Sequence, residues 1–270
     1  GTAQLAERLG SGAVAVRDQV FFASGDQLWS TDGTPEGTAL VQAGHSAYSI
    51  EPLLPVGSTL LFPLTYRRCS SPPPPGIICE LVPDTTELWR SDGTPETTVQ
   101  IAEMPIDGPY VVMNGMLFFQ SGMLWRSDGT AAGTTLAAPI WPYTLVSDGR
   151  GRLFAWVRDI SGFALWTSDG TAEGTVPLLQ QTDSYRLRFE MAPVRGVMFF
   201  GDTDGTLWRS DGTTEGTRPV AIPVDPDTPY VAGVQAHQGA LVFTTSEYPA
   251  GAGRWKLWAR RDAASRGGCG

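Results

Sequence analysis

Leu124-Trp125-Arg126-Ser127-Asp128-Gly129-Thr130, closed by Gly133-Thr134, is one of five near-copies of a single phrase. The others are Leu28-Trp29-Ser30-Thr31-Asp32-Gly33-Thr34 with Gly37-Thr38, Leu88-Trp89-Arg90-Ser91-Asp92-Gly93-Thr94 with Thr97-Thr98, Leu165-Trp166-Thr167-Ser168-Asp169-Gly170-Thr171 with Gly174-Thr175, and Leu207-Trp208-Arg209-Ser210-Asp211-Gly212-Thr213 with Gly216-Thr217. A sixth, decayed copy is Leu257-Trp258-Ala259-Arg260-Arg261-Asp262. Six tryptophans in one register mark an internal repeat, and a repeat decides the architecture before any single segment does.

Each unit parses into four short strands. In the third, Tyr110 to Met113 and Met116 to Gln120 flank Asn114-Gly115, a tight hairpin turn. Leu124 to Arg126 follows the turn Ser121-Gly122, and Ser127-Asp128-Gly129 leads to Thr134 to Ala138. The apolar runs are short, rich in β-branched and aromatic residues, and bounded by Gly, Asp or Pro. Trp89 to Trp125 spans 36 residues and Trp29 to Trp89 spans 60. Four-stranded antiparallel units at such spacing predict an all-β fold, a six-bladed β-propeller with four strands per blade. Gly1-Thr2-Ala3-Gln4-Leu5-Ala6-Glu7 reads as the fourth strand of a unit, and the chain ends after a third strand, Lys256 to Ala259. The N-terminal strand is therefore expected to join the last blade and close the ring, which removes two open edges. Residues 1–270 form one domain on this reading.

Composition agrees. Gly (32) and Pro (21) are abundant, and no run builds an amphipathic helix. No apolar stretch approaches the 18 residues of a membrane span. With 28 acids against 19 bases the net charge is −9, the wrong sign for nucleic acid, whose phosphates are neutralised by Lys and Arg. The chain opens at Gly1-Thr2 inside a repeat, so any targeting segment is expected to have been removed. Of three cysteines, Cys69 and Cys79 flank a Pro-rich stretch, Pro72 to Pro75, in an insertion spanning 65–86. A disulfide there would add about 2–3 kcal/mol and imply an oxidising compartment; two free buried thiols are the alternative. Cys269 lies in a Gly-rich tail, 263–270, and is expected to be unpaired.

The phrase Leu-Trp-x-Ser-Asp-Gly-Thr-x-x-Gly-Thr resembles the ELWxxDGT repeat of large bacterial surface proteins, over nearly the whole chain. Glu precedes Leu only at Glu87; elsewhere that position is Gln27, Met123, Ala164, Thr206 or Lys256. The resemblance implies an extracellular or outer cell-surface location and propeller-like arrays, with no agreed activity. The likeness to the Asp-box hairpin of sialidases is one of role only, since Ser and Asp are adjacent here and Trp precedes them. The Gly-rich tail from Ser265 to Gly270 resembles the start of a C-terminal sorting signal of some myxobacterial surface proteins.

The chemistry of the phrase is structural. An Asp side chain bonds backbone N–H groups two residues on, and Gly supplies the positive φ of the turn. Asp32, Asp92, Asp128, Asp169 and Asp211 therefore read as turn residues, and a ring of calcium ligands is disfavoured because each sits on a separate blade's rim. Trp29, Trp89, Trp125, Trp166, Trp208 and Trp258 read as packing between blades, with an N–H free to find a carbonyl. His45 and His237 have no neighbours at ligand spacing. Asp202-Thr203-Asp204-Gly205 lacks the oxygens of a calcium loop and reads as a hairpin turn. Glu51, Glu80, Glu190 and Glu247 are linked by no glycosidase motif. No metal, cofactor or catalytic residue is expected.

One further pattern recurs: a tyrosine before or at the first strand of five units, Tyr48, Tyr110, Tyr143, Tyr185 and Tyr230. Strand parity puts these on the face opposite the Ser-Asp-Gly turns. They are either packed between blades or line an aromatic mouth for sugar or peptide. The expected function is a non-enzymatic binding module for carbohydrate or protein. The alternatives are a structural spacer or adhesin segment and, third, a glycan-cleaving enzyme.

Overall fold

The computed structural model describes residues 12–42, 47–50, 52–66, 85–160, 162–181, 189–202, 204–222, 230–246 and 255–260. The chain divides into two compact units, Gly1–Ala137 and Ala138–Gly270. Each holds three antiparallel sheets, so the structure is all-β with six sheets among the described residues.

In the first unit, sheet 1 runs in the order β1 (Val14–Val16), β2 (Gln19–Ser24), β3 (Gln27–Thr31), β4 (Ala39–Gln42). Sheet 2 contains β5 (Ala47–Ser49), β6 (Leu54–Val56), β7 (Thr59–Tyr66), β8 (Thr85–Ser91) and β9 (Val99–Ala102). Both β5 and β6 pair with β7, so one strand position is split in two. Sheet 3 is β10 (Tyr110–Met113), β11 (Met116–Ser121), β12 (Met123–Ser127) and β13 (Thr135–Ala138). The second unit begins with sheet 4: β14 (Pro142–Ser147), β15 (Leu153–Asp159), β16 (Gly162–Ser168) and β17 (Val176–Gln181). Sheet 5 is β18 (Met191–Val194), β19 (Val197–Gly201), β20 (Leu207–Ser210) and β21 (Arg218–Pro219). Sheet 6 has three strands, β22 (Tyr230–His237), β23 (Ala240–Ser246) and β24 (Trp255–Arg260).

The strands form where the repeat places them, within a residue or two at each end. The insertion is shorter than expected at both margins. Tyr66 pairs with Thr85 and Thr65 with Thr86, so β7 and β8 continue into residues assigned to the 65–86 loop. Paired extended backbone satisfies N–H and C=O groups there that a loop would leave to water. Cys69 and Cys79, the strand expected at Thr2–Glu7 and the tail at 263–270 lie outside the described residues. The hairpin at Asn114-Gly115 has φ of 53° and 73°, the type I′ geometry that matches strand twist. Arg195-Gly196 (53° and 82°) and Gln238-Gly239 (48° and 70°) turn the same way with a first residue that sits less readily there.

The repeat phrase builds the core from two of its residues. Leu28 packs in one cluster with Leu60, Phe62 and Trp89 of the following sheet. Leu88 and Trp125 share a cluster, as do Leu165 with Trp208 and Leu207 with Trp258. In these four pairs the Leu of one copy and the Trp of the next share a cluster across neighbouring sheets. Alternation along a strand sends Leu and Trp to opposite faces, so one dipeptide serves both sides of its sheet. Leu28, Leu88, Leu124, Leu165 and Leu207 are each 0% exposed, and Leu257 in the last sheet is 74% exposed. Polar bonds accompany the packing: Ser30 Oγ donates to the Gly93 carbonyl at 3.2 Å, and Arg152 Nη1 to the Gly212 carbonyl at 3.4 Å.

Candidate functional site

The five turns are the most faithfully repeated chemistry, and their atoms are engaged with one another. In the third sheet Asp128 Oδ1 accepts from Thr130 N (2.9 Å) and Thr130 Oγ1 (2.7 Å). Thr130 Oγ1 in turn accepts from Gly133 N at 2.9 Å. Gly129 N donates to Ser127 Oγ at 3.1 Å, and Thr134 Oγ1 donates to the Thr130 carbonyl at 2.7 Å. Thr134 has one hydroxyl hydrogen, so the 2.8 Å contact between Ser127 and Thr134 must run from Ser127 to Thr134. The same one-way relay recurs around Asp32, Asp169 and Asp211. The Thr hydroxyl first, and the Thr backbone N–H with it, hold the carboxyls of Asp32, Asp128, Asp169 and Asp211 below their ordinary value of 3.8. Two glycines have separate jobs. Gly129 has φ of 90°, and Gly133 is needed for room, because a Cβ there would overlap the Asp128 carboxylate. In the second sheet Thr97 stands where the others have that glycine. Its hydroxyl donates to Asp92 Oδ1, and the Thr94 hydroxyl contact lengthens to 3.2 Å. Among the described residues no three His, Cys, Asp or Glu gather at metal-binding distance.

The residue before Leu-Trp gains a role that its variability concealed. Trp29 Nε1 donates to Gln27 Oε1 at 3.2 Å, and Trp89 Nε1 to Glu87 Oε2 at 3.0 Å. In three other copies the acceptor comes from elsewhere: the Ser121 carbonyl for Trp125, Asp202 Oδ2 for Trp208 and Thr245 Oγ1 for Trp258. Behind Ala164, Trp166 Nε1 is buried with no partner among the described residues. Asp202 also accepts from Asp204 N and Thr206 N, so this turn fixes a tryptophan as well as reversing the chain.

The tyrosines fall into several environments. Tyr185 lies outside the described residues. The backbone of Tyr48 is in β5, as the extra residue of an irregular register between Ala47 and Ser49. Tyr143 holds the corresponding place in β14, where the register shifts between Pro142 and Thr144. A β-bulge of this kind re-aims a side chain and leaves its residue out of the ladder. Tyr110 opens β10 in regular register with Phe119 and is 43% exposed. Tyr230 is half-buried, its ring covering the backbone of Gly205.

Tyr143 is the best developed of them. It is 55% exposed, with Phe189 at 4.2 Å between ring centroids and Phe163 edge-on at 5.6 Å. Phe163 and Phe189 meet at 4.8 Å, so three rings form one cluster with Tyr143 outermost. Trp141, two residues earlier, is 63% exposed. Immediately after Phe189, Glu190 lines a half-open cleft of about 280 Å³ with Gly233, Gln235, Val242, Thr244 and Leu257. Its Oε2 lies 3.0 Å, and Thr244 Oγ1 3.4 Å, from where a Cβ on Gly233 would stand. Trp141 and Phe189 lie outside the repeat phrase and escaped the sequence reading. Trp141 is one of three tryptophans not in the Leu-Trp register, and that was the available signal.

No protein-family model and no curated protein matches the chain. Among solved structures it is similar to a puromycin-hydrolysing peptidase of Mycobacterium tuberculosis, with a TM-score of 0.57, 10% identity, and 94% of this chain aligned to 45% of that one. This chain therefore spans less than half of that peptidase. Weaker likenesses are the computationally designed Ika8 protein (TM-score 0.47, 13% identity, 91% of this chain and 69% of that one) and BamB from Moraxella catarrhalis (0.39, 13%, 87% and 82%). At such identities the likeness is one of fold, and the fold is all-β and propeller-like.

Proposed function

We propose that the six sheets close into a six-bladed β-propeller, and that this propeller is a non-enzymatic binding module of a secreted or cell-surface protein, with carbohydrate or protein as its ligand. The observation that carries the binding reading is a contrast between the two repeated polar features. The turn aspartates are engaged by their own threonines, whereas Tyr110 and Tyr143 open first strands with their rings exposed. A binding surface needs polar groups not already satisfied within the fold, and aromatic rings with a polar tip suit a sugar or a peptide. The repeat phrase supports grouping the chain with ELWxxDGT proteins and their extracellular setting. A Cys69–Cys79 disulfide would accompany that setting, and thiol titration of the denatured, unreduced chain tests it by finding one free thiol or three.

Ring closure would give Leu257 the cover that its five counterparts have, with Thr2–Glu7 as the fourth strand of the last blade. Covering a leucine stabilises by about 1.5–3 kcal/mol. Leu257→Asp should therefore lower the melting temperature by several degrees, and deleting residues 1–9 should lower it further. An unchanged melting temperature for both variants means an open ring. Immobilised glycan and protein arrays probed with the intact chain test the ligand class, and silence on both would leave the structural spacer as the better reading.

A further inference from the structure

Asparagine occurs once in the 270 residues, at Asn114, and glycine follows it directly. Both Asn114 and Gly115 are exposed, at the tip of the β10–β11 hairpin. The register closes on Met113 opposite Met116, so the Gly115 N–H lies in the loop, outside the ladder. Apart from its chain neighbours, no atom stands within 4 Å of where a Cβ on Gly115 would be. An asparagine amide is the most labile side chain a protein carries, and glycine leaves the backbone nitrogen behind it unobstructed. We propose that Asn114 is a self-modification site, at which the Gly115 nitrogen converts the side chain through a cyclic imide, and that this reaction sets the working lifetime of the third sheet. The inference is independent of any ligand.

The Gly115 nitrogen gives its proton to hydroxide and bonds to Asn114 Cγ. The Cγ–Nδ2 bond then breaks, and the nitrogen leaves as ammonia by taking a proton from water, which returns the hydroxide. Water opens the five-membered ring at either carbonyl, leaving an aspartyl or an isoaspartyl residue at position 114. Nothing is oxidised or reduced. Either product adds one negative charge to a chain already at −9. The isoaspartyl product also lengthens the main chain by one carbon, which a two-residue turn with φ of 53° and 73° has no room to absorb. Ring closure needs Asn114 ψ away from its type I′ value, so the rate follows opening of this tip, where few contacts resist it.

The Asp-Gly pairs of the repeat offer the same nucleophile and are shielded from it. Gly33, Gly93, Gly129, Gly170 and Gly212 each donate their N–H to the hydroxyl two residues back, at 2.9 to 3.1 Å. Their aspartates are held ionised by threonine donors, and a carboxylate is a poor electrophile. Gly149, after Asp148, likewise donates to Ser147 Oγ at 3.1 Å. The fold thus closes this chemistry at its turns and leaves it open at its one asparagine.

The test is to age the intact chain in mildly alkaline buffer while following ammonia release, peptide maps, isoaspartyl content and melting temperature. Amide should be lost at position 114, with isoaspartyl appearing there ahead of every Asp-Gly pair of the repeat, and the melting temperature should fall as conversion proceeds. Asn114→Gly keeps a residue pair that accepts the turn and removes the amide. That variant should release no ammonia over the same interval, and its melting temperature should hold. The denatured chain supplies the clock. A native chain that keeps Asn114 for about ten times the interval that converts the denatured chain overturns the site. Ammonia released equally fast from Asn114→Gly would come from glutamine and overturns it too. Full conversion at a constant melting temperature overturns the effect on lifetime.

Discussion

The second and fourth sheets carry the same phrase, and each lacks what the other has. In the second, Glu87 accepts the indole N–H of Trp89, but Thr97 replaces the glycine behind the turn. In the fourth, Gly174 leaves room for the Asp169 carboxylate, but Ala164 leaves Trp166 Nε1 without an acceptor among the described residues. Both sheets form, so neither device is indispensable alone. The difference shows what each position is for. The second glycine makes space rather than supplying a positive φ, and a threonine is tolerated there because its hydroxyl returns a donor to the displaced carboxylate. The position before Leu-Trp is an indole acceptor, which several groups can replace.

Substitutions at these two sheets should break the comparison in graded steps. Gly174→Ala should have the largest effect, about 2–3 kcal/mol of lost stability, because the methyl displaces Asp169 without replacing its bonds. Gly174→Thr should cost less than Gly174→Ala, as the threonine of the second sheet implies; denaturant melts giving the opposite order would refute the spacing argument. Asp169→Ala should cost about 1 kcal/mol, since water can reach the released donors. Ala164→Glu, which copies the second sheet's acceptor into the fourth, should stabilise by about 0.5–1 kcal/mol. No gain there would mean that Trp166 is adequately accommodated as it is.

The gentlest probe is the proton. The turn carboxyls have folded-state values below 3.8, so their contribution is present above about pH 4 and is lost as pH falls through those lower values. Solvent screening keeps each increment small. Acid denaturation curves of Asp128→Asn/Asp169→Asn should be flatter below about pH 4 than those of the native chain, and parallel curves would show that the turns do not sense pH.

Much of this architecture could be read from the chain because its determinants are local. Asn114-Gly115 encodes its hairpin, Ser-Asp-Gly-Thr encodes its turn, and the Leu-Trp dipeptide sends one residue to each face by strand alternation alone. The expected first strand at Tyr110 and the turn at Asp202 came from the same kind of information. What escaped depends on partners distant in sequence. The bulge that takes Tyr143 from the ladder is a property of how β14 meets β15. Phe189 joins a ring cluster only because Tyr143 and Phe163 fold against it. Arg195 and Gln238 take left-handed backbone that neither residue type announces. The acceptor role of Gln27 and Glu87 was hidden because four other copies solve the same problem differently or leave it unsolved.

The one-way relay in each turn has a spectroscopic consequence. Ser91, Ser127 and Ser210 are fully buried, and each hydroxyl is held between a glycine N–H it accepts and a threonine oxygen it faces. Such a hydrogen cannot trade with solvent until its turn opens, so it should give a hydroxyl resonance that survives long enough to be observed at neutral pH and low temperature. Three serines in three sheets then act as separate clocks for local opening. Their exchange rates would rank the sheets by the frequency with which each loosens, without a label, a ligand or a mutation.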